Sequence, residues 1–72
     1  MSTTTTYAVT GMTCGHCVGA VTEEIAGLPG VHEVHVDLVA GGTSEVRVTS
    51  DAPLDEAQVR DAVDEAGYQL AS

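Results

Sequence analysis

The apolar residues of this chain switch between two periods, and the order of the switches restricts the fold more than any single motif does. "YAVTG" alternates, with Tyr7 and Val9 on one face and Ala8 and Thr10 on the other, which predicts a strand. Val18, Val21, Ile25 and Leu28 then recur at helical spacing and give a core-facing stripe. "GLPG" ends that helix with two glycines and a proline. In "VHEVHVDL", Val34, Val36 and Leu38 return to period two, so a half-buried strand is expected. "AGG" reads as a hairpin connection, and "SEVRVTS" supplies another strand through Val46 and Val48.

Asp55 is placed as a helix N-cap, with Gln58 completing a capping box. Val59, Ala62, Val63 and Ala66 form the next stripe, Gly67 takes the C-terminal glycine position, and "YQLA" makes a short last strand. Strand, helix, strand, strand, helix, strand predicts an α+β domain: two helices covering one face of a four-stranded antiparallel sheet, the split βαβ arrangement. Residues 1–6 read as a frayed N-terminus. No linker or low-complexity stretch divides the chain, so residues 1–72 are taken as a single domain.

At 72 residues the core is modest. Two cysteines exclude a disulfide-dense scaffold, since a bridge across two residues would staple almost nothing. The start "MSTTTTYAVTG" lacks the basic and apolar regions of a signal peptide, and no stretch approaches the roughly 20 apolar residues of a membrane span. A cytoplasmic location with reduced thiols is therefore expected.

Two arginines stand against eleven acids, for a net charge of −9, so nucleic acid and anionic membranes are poor partners. The distribution says more: from Met1 to Thr22 there is no Asp, Glu, Lys or Arg. In a small protein chance explains this; alternatively, acids are kept off a loop where they would disfavour a thiolate and repel an anionic partner.

That loop is "GMTCGHC", Gly11 to Cys17. A Cys-x-x-Cys pair exchanges disulfides, grips a metal, or is merely two small buried residues. Cys14 falls after the first strand and Cys17 at the start of the first helix. The helix N-terminus lowers a thiol pKa, and the spacing of three lets both sulfurs face one side. A closed zinc site takes four ligands, and His32 and His35 lie far along the chain in a predicted strand. Soft Cu(I) is selected by thiolates and is content with two. An open coordination side lets another thiolate take the ion, which suits delivery rather than storage. A thioredoxin-like dithiol enzyme is the competing reading; such folds are longer and alternate strand and helix differently.

"GMTCGHC" after a strand, the two helices and "GY" near the C-terminus resemble the heavy-metal-associated domain, over roughly Tyr7 to Leu70. Within that family the short chain is similar to bacterial copper chaperones of the CopZ type. The resemblance implies a ferredoxin-like βαββαβ sandwich, Cu(I) on Cys14 and Cys17, and transfer to a copper-exporting P-type ATPase and its metal-binding domains. It implies that Met12 tucks beneath the loop and that Tyr68 stands near the site, with Gly11 letting the chain turn out of the strand. Thr13 matches the copper-type motif, where zinc- and cadmium-handling relatives tend to carry an acid. His16 keeps two readings, an exposed histidine of the first helical turn or a modulator of the site, and the family also implies a copper-bridged homodimer.

The expectation is thus a cytosolic, non-enzymatic copper chaperone that transfers Cu(I) by ligand exchange. The alternatives are a regulatory metal-binding domain of a larger ATPase, against which Met1 and the short C-terminal end speak, and a mercury- or zinc-binding relative. Lysine is absent, so the acid excess predicts a basic or neutral partner surface, with Glu23 and Glu24 as an acidic rim beside the site.

Overall fold

The computed structural model describes residues 2–71. Its elements are β1 (Thr3–Thr10), α1 (Gly15–Ala26), β2 (Val31–Asp37), β3 (Thr43–Ser50), α2 (Glu56–Glu65) and β4 (Gln69–Leu70). The strands form one sheet in the order β2-β3-β1-β4, with every neighbouring pair antiparallel. This is the expected α+β arrangement of two helices on a four-stranded sheet.

The period-two residues bury as the alternation requires. Tyr7 and Val9 of β1 and Val46 and Val48 of β3 are buried, and Val34 and Val36 of β2 are half-buried. Above them lie Val21 and Ile25 of α1 and Val59, Ala62 and Val63 of α2. The core is built mainly of valine, and β-branched side chains suit the pleated sheet surface.

Three local expectations need correction. Thr3–Thr6 are not a frayed lead-in: they belong to β1 and pair with β3 from Thr3↔Ser50 to Thr6↔Arg47. Threonine is β-branched and favours strands even where its side chain is polar, which the lack of apolar residues concealed. Met1 lies outside the described residues. Leu38 does not continue the β2 alternation, because β2 ends at Asp37 and Leu38 stands exposed in the connection to β3. The capping box is only half made: the Asp55 side chain accepts from the Ala57 amide at 3.0 Å, while Gln58 donates its backbone N–H to the Asp55 carbonyl.

The end of α2 sets the path of the chain into the last strand. Gly67, at φ +93, lets its amide return to the Asp64 carbonyl at 2.9 Å and the Tyr68 amide to the Val63 carbonyl at 3.1 Å. This pair of bonds is the Schellman turn that a glycine in the left-handed region permits. It delivers Tyr68 to β4, where Gln69 pairs with Thr10. Since Thr10 also pairs with Thr43, the β1–α1 loop, the β2–β3 connection and the α2–β4 turn all meet at one end of the sheet.

Candidate metal centre

Both cysteines sit at that end. Cys14 is the N-cap of α1, in extended backbone, and its carbonyl accepts from the amides of Cys17 and Val18. Its own side chain caps nothing, so the sulfur is left free and exposed. Cys17, one turn in, is buried. The two sulfurs stand 3.7 Å apart, far beyond the roughly 2.05 Å of a disulfide, so both are free thiols. Two metal–thiolate bonds of about 2.3 Å span as much as about 4.6 Å, so one ion can touch both.

Cys17 is set up as a thiolate. Its pKa is lowered from the ordinary 9.0 to about 6, chiefly by the Thr13 backbone N–H, which donates to Sγ at 3.5 Å. The Tyr68 hydroxyl, directed at Cys17, is next. The Cys14 amide and the Thr13 hydroxyl, 3.7 Å away, add to the effect, and burial opposes it. The first turn of α1 carries no acid, so nothing there offsets the positive helix terminus. The Tyr68 hydroxyl responds in the opposite sense, its pKa raised first by its interaction with Cys17.

The neighbours divide into support and surface. Met12 is fully buried in the core cluster, and its carbonyl accepts from the Gly41 amide at 3.2 Å. Gly11 turns the chain at φ +94, and a Cβ there would lie 3.5 Å from the Tyr68 ring. That distance is ordinary contact, so glycine is required here by the left-handed backbone rather than by packing. His16 is exposed, and its side chain makes no hydrogen bond to another described residue. His32 and His35 stand on the edge strand β2, where His32 pairs with Asp51 and His35 lies 3.4 Å from Asp37. Among the described residues no three or more His, Cys, Asp or Glu side chains converge on one point. Spacing brought Cys14 and Cys17 together in the sequence, and the family resemblance put Met12 beneath the loop and Tyr68 near it. Neither revealed the donor role of Thr13, for which a threonine beside a Cys-x-x-Cys gives no signal.

The sandwich thus carries both cysteines as free thiols at one end, by the N-terminus of α1. Residues 6–69 match the family described as the heavy-metal-associated domain, and the chain belongs to that family. It is a metal-binding domain, not an enzyme. The chain is 42% identical over 67 residues to "Copper chaperone CopZ" of Bacillus subtilis (strain 168), covering 92% of this chain and 93% of that one. It superposes on a solved "CopZ metallochaperone" with a TM-score of 0.82 and 31% identity, over 96% of this chain and 100% of the other. It is also 36% identical over 64 residues to "Copper-transporting ATPase 2" of Rhizobium meliloti (strain 1021), covering 89% of this chain but 7% of the ATPase.

Proposed function

We propose that this protein is a cytoplasmic copper chaperone that holds Cu(I) between Cys14 and Cys17 and passes it to a copper-transporting ATPase. The observation that carries the reading is the pair of sulfurs 3.7 Å apart, one exposed and one buried. Thiolates select soft Cu(I), while a closed zinc site takes four ligands and the described residues bring two to this loop. Likeness along nearly the full length to a copper chaperone supports the same reading. Transfer is ligand exchange without redox: a thiolate of the partner bonds to copper, one cysteine here leaves as thiolate, and the second exchange repeats the step. Copper stays Cu(I) throughout. Exposed Cys14 is the ligand that an incoming thiolate reaches first, and Cys17 is the one held by donors.

His16, exposed one residue before Cys17, is assigned to tuning the site or completing it when two copies share copper in a bridged homodimer. A second reading, a regulatory domain of a larger ATPase, draws on the likeness to one short segment of such an ATPase. The test is a competition of Cu(I) against Zn(II) for the reduced protein, beside a disulfide-reductase assay. Cu(I) is expected to displace Zn(II), with no reductase activity. Preference for Zn(II), or reductase turnover, overturns the proposal. Native mass spectrometry at graded copper loading reads the dimer directly.

A further inference from the structure

The β2–β3 connection displays two large hydrophobic side chains to solvent, Leu38 at 37% and Val39 at 51% exposure. The loop that carries them is held firmly. The buried Ser44 hydroxyl accepts from the Val39 amide at 2.9 Å and lies 3.4 Å from the Val39 carbonyl. The Gly42 amide closes on that carbonyl at 3.0 Å, and the Gly41 amide binds the Met12 carbonyl. A Cβ on Gly42 would meet Val39 Cγ1 at 2.9 Å, so glycine here leaves the Val39 side chain room to keep its position. A half-exposed valine is thus fixed by its own backbone bonds and by a bond to the residue two before Cys14. Burial in the core does not account for it.

The charges complete the pattern. The three segments at this end, residues 10–22, 38–44 and 66–71, contain no Asp, Glu, Lys or Arg, although the chain carries thirteen such residues. The acids begin around this cap, at Glu23, Asp37, Glu45 and Glu65.

We propose that the uncharged cap, with Val39 and Leu38 as its apolar anchor, is the surface on which the copper-accepting domain docks. This rests on the transfer reading above. Ligand exchange brings a partner sulfur against the ion held by Cys14 and Cys17, so the partner must cover this end, and the loop tied to Met12 lies under it. The partner's chemistry is thereby set: a dithiol-bearing domain with a neutral, apolar footprint, ringed by basic side chains that meet the acids outside the cap. Apolar contact at the centre and charge at the rim are the usual division in an interface. Drying the contact also keeps water and other thiols from the ion while it changes hands.

The experiment uses Val39→Asp in the full chain, with Val39→Thr as a shape-preserving companion. The acceptors are the 64-residue segment of the Rhizobium meliloti ATPase that aligns with this chain, and a small chromophoric Cu(I) chelator. An unpaired carboxylate in a dry contact is expected to slow transfer to the ATPase segment about tenfold or more. Transfer to the chelator should match wild type, and Val39→Thr should fall between. Wild-type rates from Val39→Asp to the ATPase segment overturn the docking surface. Equal slowing toward both acceptors also overturns it, because the loop then acts by shaping the copper site. Failure of the wild-type chain to load the ATPase segment, while it loads the chelator, overturns the transfer reading beneath.

Discussion

Replacing Met12 by alanine separates support of the copper loop from ligation. Met12 is fully buried among the core side chains, and its carbonyl also anchors the β2–β3 connection through Gly41. Truncation removes a large apolar side chain and leaves a cavity between the sheet and the cysteine loop. Buried Met→Ala changes cost about 2–5 kcal/mol, and about 3 is expected here because the valines that make up most of the core cluster are short and rotamer-restricted and would fill little of the void. Native domains of this size hold only about 0.05–0.15 kcal/mol per residue, so this is a large share of the total. With each kcal/mol shifting the midpoint by roughly 4–8 °C in a domain this small, the apo protein should melt about 12–24 °C lower. Met12→Leu, close in volume, should cost less than about 1.5 kcal/mol. The assay is thermal melting by circular dichroism, paired with Cu(I) competition against a chromophoric chelator. Both variants should keep near-wild-type Cu(I) affinity at a temperature where they are folded. A folded Met12→Leu protein with Cu(I) affinity down tenfold would refute the reasoning, since the thioether would then be a ligand; a Met12→Ala midpoint within about 4 °C of wild type would refute the packing claim.

The same geometry sets four other expectations. Cys17 has a folded-state pKa near 6, below its ordinary 9.0, so between these values the unfolded chain binds more protons. Stability of the reduced apo protein should therefore rise as pH goes from about 6 to 9 and be lost as pH falls through 6; urea midpoints measure this, and Cys17→Ser should flatten the slope. Tyr68→Phe should raise the Cys17 pKa, read by thiolate absorbance, but leave it below 9.0 because the larger Thr13 amide contribution remains. Gly67→Ala should cost about 1–2 kcal/mol at φ +93 and raise the Cys17 pKa as well, since the turn it strains delivers Tyr68. Reversing Glu23 and Glu24 to lysine should slow copper transfer at low salt and have little effect at high salt; a rate independent of ionic strength would rule out an acidic rim at the docking face.

What the sequence revealed and what it hid divide along physical lines. The strand and helix order was legible because Val21, Ile25, Val46, Val48, Val59 and Val63 keep their periods over whole elements. Asp55 and Gly67 marked helix ends because capping acts within a few residues. The β1 start was hidden because Thr3–Thr6 owe their strand to pairing with β3, more than forty residues away. Leu38 was misplaced because the alternation ends where the backbone leaves the sheet, which apolar spacing does not encode. At the site, Cys14 and Cys17 were legible from spacing alone. The family resemblance put Tyr68 near the site, but the action of its hydroxyl on Cys17 and the bond from Gly41 to Met12 depend on the sheet topology, which no local pattern encodes.

X-ray absorption at the copper edge tests the central claim most directly, on the reduced protein loaded with less than one equivalent of Cu(I), beside the Cys14→Ser, Cys17→Ser double variant. Copper held by Cys14 and Cys17 should show a shell of two sulfurs in the wild-type chain, and the double variant should bind no Cu(I) tightly. Retained tight Cu(I) binding in that variant would contradict the dithiolate site.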